Sequence, residues 1–134
     1  MIKKTYTYTD YNGNERTEDY YFNLQEAEIM KLEMGINGGL TAKINRIIAA
    51  QDVPEIMKVF DELIGVSYGI KSPDGREFIK SPEITKSFMQ TEGYNKLFMD
   101  FVTKEGFAAN FFNELIPNVP DSQKSAEVVP ISGN

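Results

Sequence analysis

The sequence predicts an α+β fold, mainly α, in which an N-terminal β-hairpin is followed by about five or six short helices, with a second small hairpin near residues 66–80. Three observations carry that prediction. Residues 2–9 (Ile-Lys-Lys-Thr-Tyr-Thr-Tyr-Thr) alternate with the period of two that a half-buried strand requires. Beyond residue 23, apolar residues recur at spacings of three and four, the period of a helix face. Ser72-Pro73-Asp74-Gly75 then interrupts that period with turn chemistry between two short extended segments.

The first hairpin joins residues 2–9 to a strand from Arg16 to Phe22. Asn12-Gly13 favours a two-residue turn, because both central residues tolerate positive φ. An Asn12-Gly13 centre sets Asp10 opposite Glu15, whereas a Gly13-Asn14 centre pairs Tyr6 with Tyr21. Both registers put Tyr6, Tyr8 and Tyr21 on one face, with Tyr20, Phe22 and the threonines on the other.

Asn23 and Glu26 have the spacing of a reciprocal helix cap, so the first helix is expected from Leu24 to Met34, with Leu24, Ala27, Met30 and Met34 among its apolar positions. Gly35 to Gly39 reads as a flexible joint. Leu40, Ile44, Ile47 and Ile48 define a short amphipathic second helix. Asp52-Val53-Pro54-Glu55 opens a third over residues 53–65, with Ile56, Val59, Phe60, Leu63 and Ile64 as its stripe.

After Gly65 the pattern turns extended, and Ser81-Pro82-Glu83 then caps a fourth helix carrying Ile84, Phe88 and Met89. Gly93 marks a break. Two further helices follow from the spacing of Tyr94, Leu97, Phe98, Phe101 and Val102, and of Phe107, Ala108, Phe111, Phe112, Leu115 and Ile116. Residues 1–116 are therefore expected to form a single globular, mainly helical domain. Residues 117–134, with three prolines and no periodicity, are expected to be a disordered tail.

Composition narrows the function. Of the 134 residues 41% are hydrophobic and 25% charged, as in chains that fold, and no apolar run reaches the roughly 20 residues of a membrane span. The N-terminus lacks a signal-peptide core, so a cytoplasmic protein is expected. A net charge of −6 with scattered Lys and Arg argues against nucleic acid as a partner and serves solubility. Neither histidine nor cysteine occurs, which removes the commonest general base, the thiolate nucleophile and the commonest transition-metal ligands. What remains is carboxylate chemistry. Asp61-Glu62 and Asp10/Glu15 read as solvated positions, Ser72 to Gly75 lacks the spacing of a calcium loop, and Gly35 to Gly39 lacks the lysine of a phosphate loop. No catalytic residue, cofactor or metal is assigned, and a protein-binding role is favoured over a small carboxylate-dependent hydrolase.

One stretch is unusually rich in aromatic residues and methionine: Phe88, Met89, Tyr94, Phe98, Met99, Phe101, Phe107, Phe111 and Phe112. Adjacent pairs such as Phe98-Met99 and Phe111-Phe112 widen the stripes beyond one helix face. Two readings stay open. The excess is all core, or part of it faces a partner or a second copy of the chain, since aromatics and methionine suit adaptable interfaces.

The block from Tyr68 to Glu83 (Tyr-Gly-Ile-Lys-Ser-Pro-Asp-Gly-Arg-Glu-Phe-Ile-Lys-Ser-Pro-Glu), continuing through Gln90-Thr91-Glu92-Gly93-Tyr94-Asn95-Lys96-Leu97-Phe98 to Asn113-Glu114-Leu115-Ile116-Pro117, resembles tail assembly chaperones of long-tailed, siphovirus-type phages of Gram-positive bacteria. The Lys3-Lys4-Thr5-Tyr6-Thr7-Tyr8 hairpin leading into Phe22-Asn23-Leu24 is similar to theirs too, so the resemblance spans roughly residues 2–117 and is most specific over 68–98. It implies a non-catalytic, cofactor-free protein that binds the tape measure protein, keeps it soluble and assists tail tube assembly. It implies further partners in the tail tube protein and in a frameshifted longer form of the chain. It also implies residence in the cytoplasm of the infected bacterium and absence from the mature virion. A structural tail or head–tail component retained in the particle is the rival reading.

Overall fold

Alternation in residues 2–9 and the aromatic run ending at Phe22 produce two antiparallel strands, β1 (Ile2–Thr9) and β2 (Glu15–Phe22). The structure is a computed structural model and describes residues 1–35 and 38–116. The strands pair Thr9 with Glu15, Tyr6 with Glu18 and Ile2 with Phe22, a register that neither two-residue turn gives. Instead a three-residue loop, Tyr11-Asn12-Gly13, is closed by the Asp10 N–H donating to the Asn14 carbonyl at 2.8 Å, with Gly13 at a φ of 87°. The Asp10 carboxylate decides the loop. It accepts the N–H groups of Asn12 and Asn14, each at 2.9 Å, and Arg16 Nε at 2.6 Å, and this Arg16 contact foremost holds its carboxyl below the usual range.

That slip of one residue corrects the expected faces, because the side-chain period of a strand is two. Ile2, Tyr8, Tyr20 and Phe22 are buried together on the inner face with Tyr6 beside them. Tyr21, opposite Lys3, joins the threonines on the outer face, where Thr5 bonds Asp19 and Thr7 bonds Thr17.

The second hairpin forms as β3 (Tyr68–Lys71) and β4 (Phe78–Ile79) around the Ser72–Gly75 turn, in which Gly75 N–H donates to the Ser72 carbonyl at 2.9 Å. It is not separate from the first. Phe22 pairs with Tyr68 and Tyr21 with Gly69, giving one antiparallel four-stranded sheet in the order β1-β2-β3-β4.

Among the described residues six helices complete the α+β, mainly α fold: α1 (Glu26–Met34), α2 (Leu40–Ala49), α3 (Val53–Ser67), α4 (Pro82–Met89), α5 (Glu92–Thr103) and α6 (Phe107–Leu115). The first begins two residues later than expected. Asn23 stays extended because its N–H donates to the Ser67 carbonyl at the end of the β2–β3 ladder, so Gln25 is the cap, its N–H held by Glu28 Oε1 at 2.8 Å. The packing side of α1 is Ile29 and Leu32, whereas Met30 and Met34 are exposed. Glu33 then caps α2 from a distance by accepting from Leu40 N–H at 2.7 Å and Thr41 N–H at 3.2 Å. In the expected joint before α2, Ile36 and Asn37 lie outside the described residues.

The third helix runs past Gly65 to Ser67, whose hydroxyl donates to the Leu63 carbonyl while the residue is fully buried. Asp52, Ser81 and Thr91 cap α3, α4 and α5 by accepting from the N–H groups of Glu55, Ile84 and Tyr94. The break between α4 and α5 therefore falls at Gln90-Thr91, not at Gly93, which is buried in the first turn of α5. Helices α5 and α6 pack on the inner face of the sheet, where Phe111 lies 5.5 Å from Phe22, and on α3, where it lies 5.9 Å from Phe60. The tail expected at 117–134 lies outside the described residues.

Lys80 joins four of these pieces. Its ammonium donates to the carbonyls of Asn23 and Val66, each at 2.9 Å, and to Glu28 Oε2 at 2.7 Å, so all three protons are used. Replacing Lys80 by methionine is expected to cost about 2 kcal/mol, read as a lower urea midpoint, since two carbonyls and a carboxylate lose their donor. Burial pushes the Glu28 carboxyl up, but Gln25 N–H and Lys80 outweigh it and leave the group below its ordinary value of 4.5. A depressed acid stabilises the fold above that unfolded value. The contribution is lost as pH falls through the lower folded value, so below pH 4.5 wild type should approach Lys80→Met in stability. A midpoint difference between the two that stays constant down to pH 3 or so would contradict this.

Candidate functional site

The aromatic stretch divides when the helices are in place. Phe88, Phe101, Phe111 and Phe112 are buried, and a partner reading of these four is corrected: they are core. The width of their stripes has a physical cause. Phe111 meets Phe22 of the sheet, Phe60 of α3 and Phe101 of α5, so α6 carries apolar residues on two sides. Phe107 is partly buried beneath Lys4, whose Nζ stands 4.8 Å from the ring centroid. Met99 is 47% exposed on α5.

The remaining three, Met89, Tyr94 and Phe98, line one cleft of about 460 Å³. Its floor is α5, its near wall the α4–α5 turn at Gln90 to Glu92, and its far side Asp61 of α3 and Tyr11 at the hairpin tip. Helical spacing explains why Tyr94 and Phe98 share it, four residues apart on one face. Phe98 is anchored edge-on to Phe60 with centroids 5.9 Å apart, and Tyr94 stacks on the same ring at 6.5 Å. The Tyr94 hydroxyl donates to Asp61 Oδ1 at 2.5 Å, and burial, then that bond, raises the phenol above its ordinary range. Tyr11 is 79% exposed.

The chemistry of this lining suits apolar side chains: aromatic walls and a flexible methionine, with the carboxylates of Asp61 and Glu92 at the border. Periodicity located the α5 residues of this cleft. Tyr11 and Asp61 carried no sequence signal, because their place depends on the loop length of the hairpin and on how α3 crosses α5.

Several carboxylates of the described residues have structural partners. Glu18 accepts from the hydroxyls of Tyr8 and Tyr20, Asp100 from that of Tyr6, Asp10 from its loop and Arg16, and Asp74 from Ser72 and Arg76 within the β3–β4 turn. Among the described residues no helix is long and apolar enough to cross a membrane.

A family model described as phage tail assembly chaperone matches residues 1–129 of the chain. No curated protein and no solved structure matches it.

Proposed function

The chain belongs to the phage tail assembly chaperone family, and from that premise we propose that it binds the tape measure protein, keeps this long client soluble and assists tail tube assembly without catalysing a reaction. The observation that carries the reading is the family match over nearly the whole chain. The cleft of Tyr11, Met89, Tyr94 and Phe98 supports it with a surface of suitable chemistry, apolar and adaptable with an acidic border. The net charge of −6 gives a complex with an aggregation-prone client the repulsion that keeps it dispersed. On this reading the protein works in the cytoplasm of the infected bacterium and leaves before the tail is complete. The tail tube protein and a frameshifted longer form of the chain are the further partners it would meet.

Co-expression with the tape measure protein tests the proposal. The client should move from the pellet to the soluble fraction and co-purify with this chain, and an unchanged client solubility refutes the reading. Tyr11→Ser combined with Met89→Ala should weaken that binding about tenfold or more while the thermal midpoint changes little, because Tyr11 is exposed and Met89 only partly buried. Mass spectrometry of purified virions should not find the chain; stoichiometric recovery there would favour a retained structural component.

A further inference from the structure

An open, largely apolar groove of about 730 Å³ runs between the end of α3 and the whole of α4. Gly65 and Val66 form one wall; Pro82, Thr85 and Met89 form the other, spaced along a single face of α4. The groove is separate from the cleft along α5, sharing only Met89 and Gln90 with it. Three charged groups line it. Glu28 and Lys80 are paired with each other at 2.7 Å, whereas Lys86 is exposed and without an ion pair among the described residues.

Gly65 has no structural task in the body of the protein. It lies inside α3, its backbone is not left-handed, and a Cβ added there would meet nothing within 4 Å. At such a helical position alanine would be better by about 1 kcal/mol. What glycine supplies is a wall bare of side chain, against which the backbone of an incoming segment can lie closely.

Residues 117–134 contain one apolar run, Val128-Val129-Pro130-Ile131, preceded by Glu127. The family match extends to residue 129 and so takes in Glu127, Val128 and Val129. We propose that this run of the chain's own tail occupies the α3–α4 groove, with Glu127 beside Lys86. The lengths agree. With 8 residues α4 is about 12 Å long, and four extended residues, the conformation that a proline favours for its predecessor, span about 13 Å. Residues 117–126 give the reach: at about 3.3 Å each they span about 33 Å, against a radius of gyration of about 13 Å for a domain of about 100 residues. Charge selects this groove over the α5 cleft, whose Asp61 and Glu92 would repel Glu127. The tether holds the run at an effective concentration near millimolar, so a weak contact suffices to keep the groove filled. A groove filled in this way opens only to a partner that displaces the tail. The inference is independent of what the α5 cleft binds.

Nuclear magnetic resonance of the full chain tests this. Nuclear Overhauser contacts should join the methyl groups of Val128, Val129 and Ile131 to Gly65 and Thr85, at a strength unchanged on about tenfold dilution because the contact is within one chain. Gly65→Gln puts a side chain where the tail would lie. It should abolish these contacts while the thermal midpoint stays at or above the wild-type value. Glu127→Lys should lower the bound-to-free ratio of the tail about threefold, and Lys86→Glu added to it should restore most of the loss. Absence of the contacts in the wild type overturns the inference, as does their survival in Gly65→Gln. Contacts to Tyr94 and Phe98 instead, which put the tail in the other cleft, or contacts that fade on dilution, which put it on another copy, overturn it too. A ratio that Glu127→Lys leaves unchanged overturns the pairing with Lys86.

Discussion

Phe111→Ala should lower the stability of the fold by about 3–5 kcal/mol, measured as a shift of the urea midpoint at unchanged slope. Phe111 is 1% exposed, and its ring stands between Phe22 at 5.5 Å, Phe60 at 5.9 Å and Phe101 at 5.9 Å. Truncation therefore opens a cavity where the sheet, α3 and α5 meet, and none of the three elements can close it alone. Exposed Met99 is the control. Met99→Ala should change the midpoint little, so comparable losses for the two would show that Phe111 is not the core residue its burial implies.

Gly93→Ala should be nearly as harmful, at about 3 kcal/mol, although alanine favours a helix by about 1 kcal/mol over glycine. A Cβ at position 93 would stand 2.0 Å from the Tyr20 hydroxyl oxygen and 2.4 Å from its ring. Tyr20 has nowhere to go. It is buried, bonded to Glu18 at 3.0 Å and packed 4.9 Å from Phe88, so the first turn of α5 must move off the sheet instead. Tyr20→Phe with Gly93→Ala should recover part of the loss by removing the clashing oxygen. If Gly93→Ala alone is as stable as wild type, the close approach of α5 to β2 is wrong.

The hairpin shows how far local chemistry reaches. Residues 2–22 were legible as two strands with a turn near Asn12-Gly13, yet the turn has three residues, because the Asp10 carboxylate gathers the N–H groups of Asn12 and Asn14 and the Arg16 side chain. One residue of slip exchanged the faces, and only the burial of Tyr20 and Phe22 against Phe88 and Phe111 makes that choice visible. The cleft was legible to the same extent. Tyr94 and Phe98 follow from helical spacing, whereas Tyr11 and Asp61 reach it from elements far away in the chain.

By itself the sequence determined the local elements: the alternation that makes strands, the three-and-four spacing that makes helices, the Asp52 and Ser81 caps, and the family resemblance over most of the chain. These depend on residues a few positions apart. Tertiary structure alone decided that two hairpins join as one sheet through Phe22 and Tyr68, that Gly93 is a point of contact instead of a break, and that Phe88, Phe101, Phe111 and Phe112 are core while Met30 and Met34 are surface. The reason is that periodicity gives the direction of a side chain around its own helix, but burial depends on what stands on that side, and for α5 and α6 there is a sheet on one flank and α3 on the other.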